Sequence, residues 1–121
     1  MNQLIEKEIK IESLIYEVRG KQVMLDRDLA RLYQVETRTL NQKVKRNIER
    51  FPNDFCFQMT ELEFESWRSH FVMSNSDKLG LRRPPYVFTE QGVAMLSAII
   101  NSEVAVTISI KIMKAFVEMK K

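Results

Sequence analysis

The chain has 121 residues, 45% of them hydrophobic and 29% charged, which is typical of a single globular domain with its own core. The net charge of +3 is modest, and Cys56 is the only cysteine, so an internal disulfide is excluded and a reducing cytoplasmic setting is expected. There is no run of about eighteen apolar residues and no signal-peptide pattern, so we expect no membrane segment.

The first predicted element is a β-hairpin. Two short apolar runs, Leu14 to Val18 and Gln22 to Leu25, flank Arg19 and Gly20. Gly20 has no side chain and can take the positive φ that a tight turn needs. The two runs are therefore expected to pair as antiparallel strands.

Residues 26–51 predict two short helices joined by a sharp turn. Asp26 and Asp28 are expected to cap the first helix, because carboxylates accept bonds from free N–H groups and favour the positive end of the helix dipole. The helical spacing breaks at Gln34, and Thr37 is expected to cap the second helix. The apolar stripe predicted for the second helix consists of Leu40, Val44, Ile48 and Phe51.

The polar face of this second helix is strongly basic. Residues 38–50 contain five basic side chains against Glu49 alone, a local charge of +4, whereas residues 51–67 contain four acidic side chains and no basic one. Residues 68–89 form a second basic window. Lysine and arginine can neutralise phosphates, and polar side chains between them can hydrogen-bond base edges. The alternative is a solvated face that only keeps the domain soluble.

Residues 51–54 are expected to end the second helix, and a strand and a third helix are predicted after them. Phe55 to Met59 is a short strand rich in aromatic residues. Thr60 and Glu63 have the spacing of a capping box, which begins a helix that continues to Phe71. The acidic residues of this helix are explained by the helix dipole and by solvent.

Residues 73–85 form the one clear loop, because they contain a glycine, two prolines and several turn-forming polar residues. Residues 86–88 are predicted as a strand, followed by a helix from residue 90 to about residue 100 that Thr89 caps. Gly92 is expected to allow close packing near the start of that helix. The two strands around the acidic helix and the basic loop look like a wing beside the helix pair.

The final segment alternates like a strand between Val104 and Ile112, yet we predict one helix over it. On a helix its apolar residues form two stripes, which are Val106, Ile110, Met113 and Val117 on one side and Ile108, Ile112, Ala115 and Met119 on the other. One stripe is enough to anchor the helix to the core. Residues 103–119 are therefore expected to carry a second contact surface, either for a homodimer or for another protein.

Two long strings in the chain resemble a known family. They are VMLDRDLARLYQVETRTLNQKVKRNIERFPNDFCFQMT and PPYVFTEQGVAMLSAIINSEVAVTISIKIMKAF. Both are similar to the ORF-six-N domain, a relative of the KilA-N and Bro-N domains that forms the N-terminal DNA-binding domain of phage and prophage antirepressor-type proteins. The landmark strings LDRDLA, VKRNIERFP and FTEQGVAML occur in order, and the similarity runs from about Val23 to Val117.

The resemblance implies a small single α+β domain with a helix-turn-helix-like pair, short antiparallel strands and a C-terminal helix. It also implies sequence-specific binding of double-stranded DNA by a transcriptional regulator or antirepressor of bacterial or bacteriophage origin. In the family, this domain usually precedes a variable C-terminal domain.

The residues that match the DNA-binding part of the family divide into two groups. The base-facing candidates are Arg38, Thr39, Asn41, Gln42, Lys45 and Arg46. The phosphate candidates are Lys43, Arg50, Arg82 and Arg83. Gln34 stands where helix-turn-helix motifs commonly have glycine, so a left-handed or bridge backbone is expected there at some cost.

An enzyme is not expected from these residues. His70 is the single histidine, so no histidine-based metal cluster or Ser-His-Asp set can be assembled. Asp26, Asp28 and Glu36 could hold Mg²⁺, but capping explains the two aspartates more simply. We therefore expect no metal and no cofactor.

A protein-interaction module is the competing function. Under that hypothesis the C-terminal helix binds a repressor or another protein, and the basic helix meets an acidic partner. DNA binding would weaken steeply with salt, whereas an apolar helix interface would not.

Overall fold

The computed structural model describes residues 10–71 and 83–120. Within these ranges the chain forms five α-helices and one four-stranded antiparallel sheet, which confirms the predicted α+β class. The elements in chain order are a 3-10 helix at Ile11–Leu14, β1 at Ile15–Val18, β2 at Lys21–Leu25, α1 at Asp26–Tyr33, α2 at Thr37–Arg46, a 3-10 helix at Ile48–Arg50, β3 at Cys56–Gln58, α3 at Glu61–Phe71, β4 at Tyr86–Phe88, α4 at Glu90–Ile100 and α5 at Glu103–Met119. Arg82 and most of the predicted loop lie outside the described residues.

The predicted hairpin is confirmed. Strands β1 and β2 pair antiparallel, with Val18 opposite Lys21, so that Arg19 and Gly20 form a two-residue turn. Both turn residues have positive φ, 57° at Arg19 and 71° at Gly20, which is the backbone of a type I′ turn. The guanidinium of Arg19 anchors this turn to α3 and β3. It bonds both carboxylate oxygens of Glu63 at 2.6 and 3.1 Å and lies 4.0 Å above the ring of Phe57.

The sheet, in the order β1-β2-β4-β3, separates two apolar clusters. Alternate residues of a strand point to opposite faces, so each strand contributes to both clusters. The larger cluster packs the first face against α1, α2, α4 and α5, and its sheet residues are Ile15, Met24, Cys56 and Phe88. The smaller cluster joins the other face to α3, and it contains Val18, Val23, Leu25, Phe57, Met59, Phe64, Trp67 and Val87. The two strands of the predicted wing, β3 and β4, pair with each other. Because β4 also pairs with β2, they extend the sheet of the hairpin.

The capping box at the start of α3 is confirmed. The N–H of Glu63 donates to Thr60 Oγ1 at 3.1 Å, and the N–H of Thr60 donates to Glu63 Oε1 at 2.7 Å. The hydrogen bond from Arg19 is the main reason that the pKa of the Glu63 carboxyl lies below its ordinary value. One carboxylate thus caps α3 and holds the hairpin turn.

The start of α4 is held tightly against the segment that leads into β3. Thr89 caps the helix as predicted, because its Oγ1 accepts from the N–H of Gly92 at 3.4 Å and donates to the carbonyl of Asp54 at 2.7 Å. Gly92 lies directly on Phe55. A Cβ added to Gly92 would be 1.9 Å from the carbonyl oxygen of Phe55. The predicted close approach at Gly92 is therefore confirmed.

The final segment is one helix, α5, as predicted. Its buried side consists of Ala105, Ile108, Ser109, Ile112, Ala115 and Phe116. The hydroxyls of Tyr33 and Ser109 share a buried hydrogen bond of 2.9 Å that ties α5 to α1. Strand-like alternation in the sequence reflects apolar residues on two sides of the helix.

Replacement of Gly92 by alanine should lower the free energy of unfolding by about 3 kcal/mol, because the new methyl group forces α4 away from Phe55. Urea denaturation followed by circular dichroism measures this loss. Gly20→Ala is the matched control, since nothing lies within 4 Å of its added Cβ and only the positive φ costs about 1 kcal/mol. Equal losses from the two variants would contradict the contact between Gly92 and Phe55.

Candidate nucleic-acid interface

Helices α1 and α2 are joined by a three-residue turn, which is the connection of a helix-turn-helix. Helix α1 ends in a Schellman motif, in which the N–H of Val35 donates to the carbonyl of Ala30 at 2.9 Å and the N–H of Gln34 donates to that of Arg31 at 3.1 Å. Gln34 has the left-handed backbone that the sequence predicts, with φ 62° and ψ 42°. Glutamine thus occupies the place that glycine usually has, and the sharp turn is kept.

The prediction that Thr37 caps α2 is wrong. Glu36 is the N-cap residue, with an extended backbone, and no side chain accepts a hydrogen bond there. The Schellman motif sets the chain direction two residues earlier, so Thr37 already has helical geometry. Glu36 is exposed at the start of α2. An acidic side chain therefore lies at the N-terminal end of this basic helix.

The prediction that one apolar stripe runs from Leu40 to Phe51 is wrong in its second half. Helix α2 ends at Arg46, because the side-chain amide of Asn47 donates to the carbonyl of Lys43 at 2.8 Å and closes the last turn. A 3-10 turn follows. Ile48 is therefore 60% exposed, while Phe51 returns to the core with 4% exposure.

The outer face of α2 is a stripe of exposed polar side chains. Its members, all exposed, are Arg38, Gln42, Lys45 and Arg46. They are spaced by four, three and one residues, which places them on one side of the helix. On the opposite side Leu40 and Val44 are buried. Among the other candidates Thr39, Asn41 and Lys43 are half-buried, whereas Arg50 and Arg83 are exposed outside α2.

Asn41 faces inward and contacts Asp26. Its Nδ2 donates to Asp26 Oδ2 at 2.9 Å, and the other carboxylate oxygen accepts from the N–H of Arg27 at 2.7 Å. The N–H of Tyr86 also bonds this carboxylate. Burial nevertheless raises the pKa of Asp26. Burial, together with the negative charge of Asp26, raises the pKa of the Cys56 thiol to about 12, so this buried thiol is unreactive.

The basic side chains of α2 have no acidic partner in the part of the chain that the structure describes. Arg38, Lys43, Lys45 and Arg46 form no ion pair there. Several bases elsewhere are paired with carboxylates, and these are Arg19 with Glu63, Arg31 with Asp28, Arg68 with Glu65 and Lys120 with Glu90. A local excess of positive charge therefore remains on α2 for an anionic partner.

A groove of about 780 Å³ runs along one flank of α2, between this helix and β3. Lys45 brings positive charge to the groove, the charge of Arg19 is paired with Glu63, and Asn53 and Gln58 add polar groups. Gln58 also donates to the carbonyl of Pro84, which places Arg83 next to the β3 edge of the sheet. In the part of the chain that the structure describes, no other element covers this flank of the exposed stripe.

Fold and surface together define a small α+β domain with a helix-turn-helix-like pair, whose second helix is basic and has no acidic partner within the described residues. The family model of the ORF6N domain matches residues 13–99 of this chain. The protein therefore belongs to the ORF6N domain family, a family of phage-type regulatory domains. The match begins earlier than the predicted Val23 and ends before α5.

Comparison with the curated proteins and with the solved structures gives no match. No helix within residues 10–71 and 83–120 is both long and apolar enough to cross a membrane. In the same residues no group of three histidine, cysteine, aspartate or glutamate side chains is placed to hold a metal ion.

Substitution of Asn41 by alanine should lower the free energy of unfolding by about 1 to 2 kcal/mol, because the buried Asp26 carboxylate loses a hydrogen-bond donor. Gln42→Ala removes the neighbouring exposed amide and should change stability by less than about 0.5 kcal/mol. Urea denaturation of both variants tests the difference. Similar stabilities would show that the contact between Asn41 and Asp26 does not hold α2 in place.

Proposed function

We propose that this domain binds double-stranded DNA in a sequence-specific manner, with α2 as the recognition helix. The observation that carries the proposal is the exposed stripe of Arg38, Gln42, Lys45 and Arg46 directly after a helix-turn-helix turn. The domain would act in transcription regulation, as a phage- or prophage-derived regulator or antirepressor in the cytoplasm of a bacterial host. No residue is assigned a catalytic role, and the proposal needs no cofactor.

The chemistry of the stripe suits the major groove. An α-helix fits into this groove, and in a helix-turn-helix the first residues of the second helix reach the base edges. Arg38 and Gln42 lie in the first two turns of α2 and are exposed. Arginine pairs with the two acceptors of guanine, and glutamine pairs with adenine. Lys45 and Arg46 continue the same face by one turn.

The half-buried candidates take different roles in the proposal. Asn41 is already bonded to Asp26, so we assign it to positioning α2 and no longer to base reading. Thr39 remains a candidate for a contact at the edge of the stripe. The proposed phosphate contacts are Lys43, Arg50, Arg82 and Arg83. Contacts to phosphates fix the orientation of α2 but carry no sequence information.

A second candidate function is a protein-interaction module that binds a repressor or another protein through α5. It is favoured by the exposed apolar side chains of Val106, Ile110 and Val117. The excess charge of α2 favours DNA, because an apolar interface through α5 leaves that charge without a role. The two functions differ in their dependence on salt.

The affinity for a preferred duplex should fall steeply with salt. If the four proposed phosphate contacts Lys43, Arg50, Arg82 and Arg83 neutralise about four phosphates, the slope of log K against log salt is about −3.6, or roughly a hundredfold loss between 50 and 200 mM. Fluorescence anisotropy with a labelled duplex selected from genomic fragments measures the slope.

Lys114→Ala is the charge-matched control for the salt experiment, because Lys114 is an exposed base on α5. This variant should keep the wild-type slope, whereas Arg50→Ala should make it shallower by about one. A flat salt profile of the wild type, or no binding at low salt, would refute the DNA proposal and leave the protein-interaction module.

Base reading and phosphate contact should be separable by substitution. Arg38→Ala and Gln42→Ala should each cost about 1 to 3 kcal/mol on the preferred site and relax the base preference there. Arg50→Ala should weaken binding to all duplexes by a similar factor. All three side chains are exposed, so the variants should remain folded. Competition binding against a library of single base-pair changes distinguishes the two patterns, and uniform losses from all three variants would contradict the assignment.

A further inference from the structure

Helix α5 has an exposed apolar stripe that residues 10–71 and 83–120 do not cover. Val106, Ile110 and Val117 are 52%, 53% and 51% exposed, and Met113 between them is half-buried. Among the large hydrophobic side chains exposed within the described residues, four of six lie on α5, while Ile48 and Leu62 are isolated. Contiguous apolar surface of this kind marks a contact site rather than ordinary surface variation.

The spacing of the stripe is that of a coiled-coil seam. The stripe residues follow one another at intervals of four, three and four, at positions 106, 110, 113 and 117. These intervals are the a/d pattern of a heptad repeat. The contacts of α5 with its own core are centred on another side of the helix, at Ile108, Ile112 and Ala115, and Met113 is the seam residue that also packs against this core. A second helix can therefore pack on the seam while the core stays intact.

The charged residues at the two ends of the seam indicate which helix fits. Glu103 lies three residues before Val106, and Lys120 lies three residues after Val117. Both therefore continue the alternating spacing of three and four residues that defines the seam. Glu103 has no ion pair within residues 10–71 and 83–120, and Lys120 is 60% exposed although it bonds Glu90. A partner helix that runs antiparallel and carries the same residues would place a lysine beside Glu103.

We propose that two copies of this chain associate through antiparallel pairing of their α5 helices. In the register that we infer, Val106 faces Val117 of the second copy and Ile110 faces Met113 of the second copy. Glu103 then faces Lys120 of the second copy at both ends. Parallel pairing would instead bring equal charges together at each end, and it would align the two helix dipoles unfavourably.

The surrounding charge supports a second copy as the occupant. Helix α5 has two acids, Glu103 and Glu118, and two bases, Lys111 and Lys114, so two copies do not repel each other. A two-fold axis makes the contact self-complementary, as closed dimers require. A seam of 17 residues is about 25 Å long, which is short for a permanent interface, so we expect a dissociation constant in the micromolar range.

This association is independent of DNA binding. If the proposed function also holds, the same axis would relate two copies of α2, and the preferred DNA site would have two-fold symmetry. Failure of DNA binding would leave the dimer intact, and a monomer could still bind DNA through α2.

Sedimentation equilibrium of the full chain from about 5 to 200 µM tests the dimer, because the average mass should rise toward twice that of the monomer over this range. Ile110→Glu places a charge in the seam and should keep the protein folded but monomeric. Leu62→Glu is the matched control, since Leu62 is an exposed apolar residue on α3 with 82% exposure. The control should dimerise like the wild type.

Disulfide cross-linking tests the antiparallel direction. Val106→Cys and Val117→Cys proteins should each fail to form a cross-linked dimer alone, because residues of equal number lie about 16 Å apart in the antiparallel register. An equimolar mixture of the two should cross-link under mild oxidation. The native Cys56 is buried and does not interfere.

Three outcomes would overturn the proposal. A wild-type protein that is folded and monomeric at about 200 µM would exclude the dimer. Unfolding of Ile110→Glu with a stable Leu62→Glu would mean that the chain itself covers the seam. Cross-linking of each cysteine variant alone would refute the antiparallel register.

Discussion

The buried carboxylate of Asp26 is the group on which the arrangement of the helix pair depends. It follows β2 directly and accepts hydrogen bonds from Arg27, from the Asn41 side chain of α2 and from Tyr86 of β4. A buried carboxylate is costly unless its oxygens accept hydrogen bonds. The start of α1 must therefore meet β2, α2 and β4 at one point. Burial still raises the pKa of Asp26, which means that the hydrogen bonds offset the loss of water only in part.

This constraint explains why α2 can carry positive charge that no carboxylate of residues 10–71 and 83–120 pairs with. Its inner side is fixed by Leu40, Val44 and Asn41, so its outer side needs no contact with the rest of the domain. The excess of charge lowers stability slightly through self-repulsion but leaves the stripe free for an anionic partner. Because the inner contacts hold the helix before any partner arrives, little ordering would remain for the binding step.

Several features that depend on neighbouring residues could be predicted from the sequence, whereas the start and end of α2 and the contacts between distant residues could not. The turn at Gly20, the capping box of Thr60 and Glu63 and the cap at Thr89 are all local, and all are confirmed. The bond between Asn41 and Asp26 joins two helices, and no local pattern indicates it. Helix α2 ends early because the Asn47 side chain competes for a backbone carbonyl, which a periodic pattern does not reveal.

Helix α5 shows why the ambiguous periodicity of its sequence carries information. A helix that packs on one side only has a single apolar stripe, whereas α5 has a buried stripe toward its own core and an exposed one beyond it. Apolar residues on both sides produce the alternation that resembles a strand. The family match ends at residue 99, before α5 begins at Glu103. The helix-turn-helix therefore belongs to the shared domain, and the exposed seam is a feature of this chain that the family match does not explain.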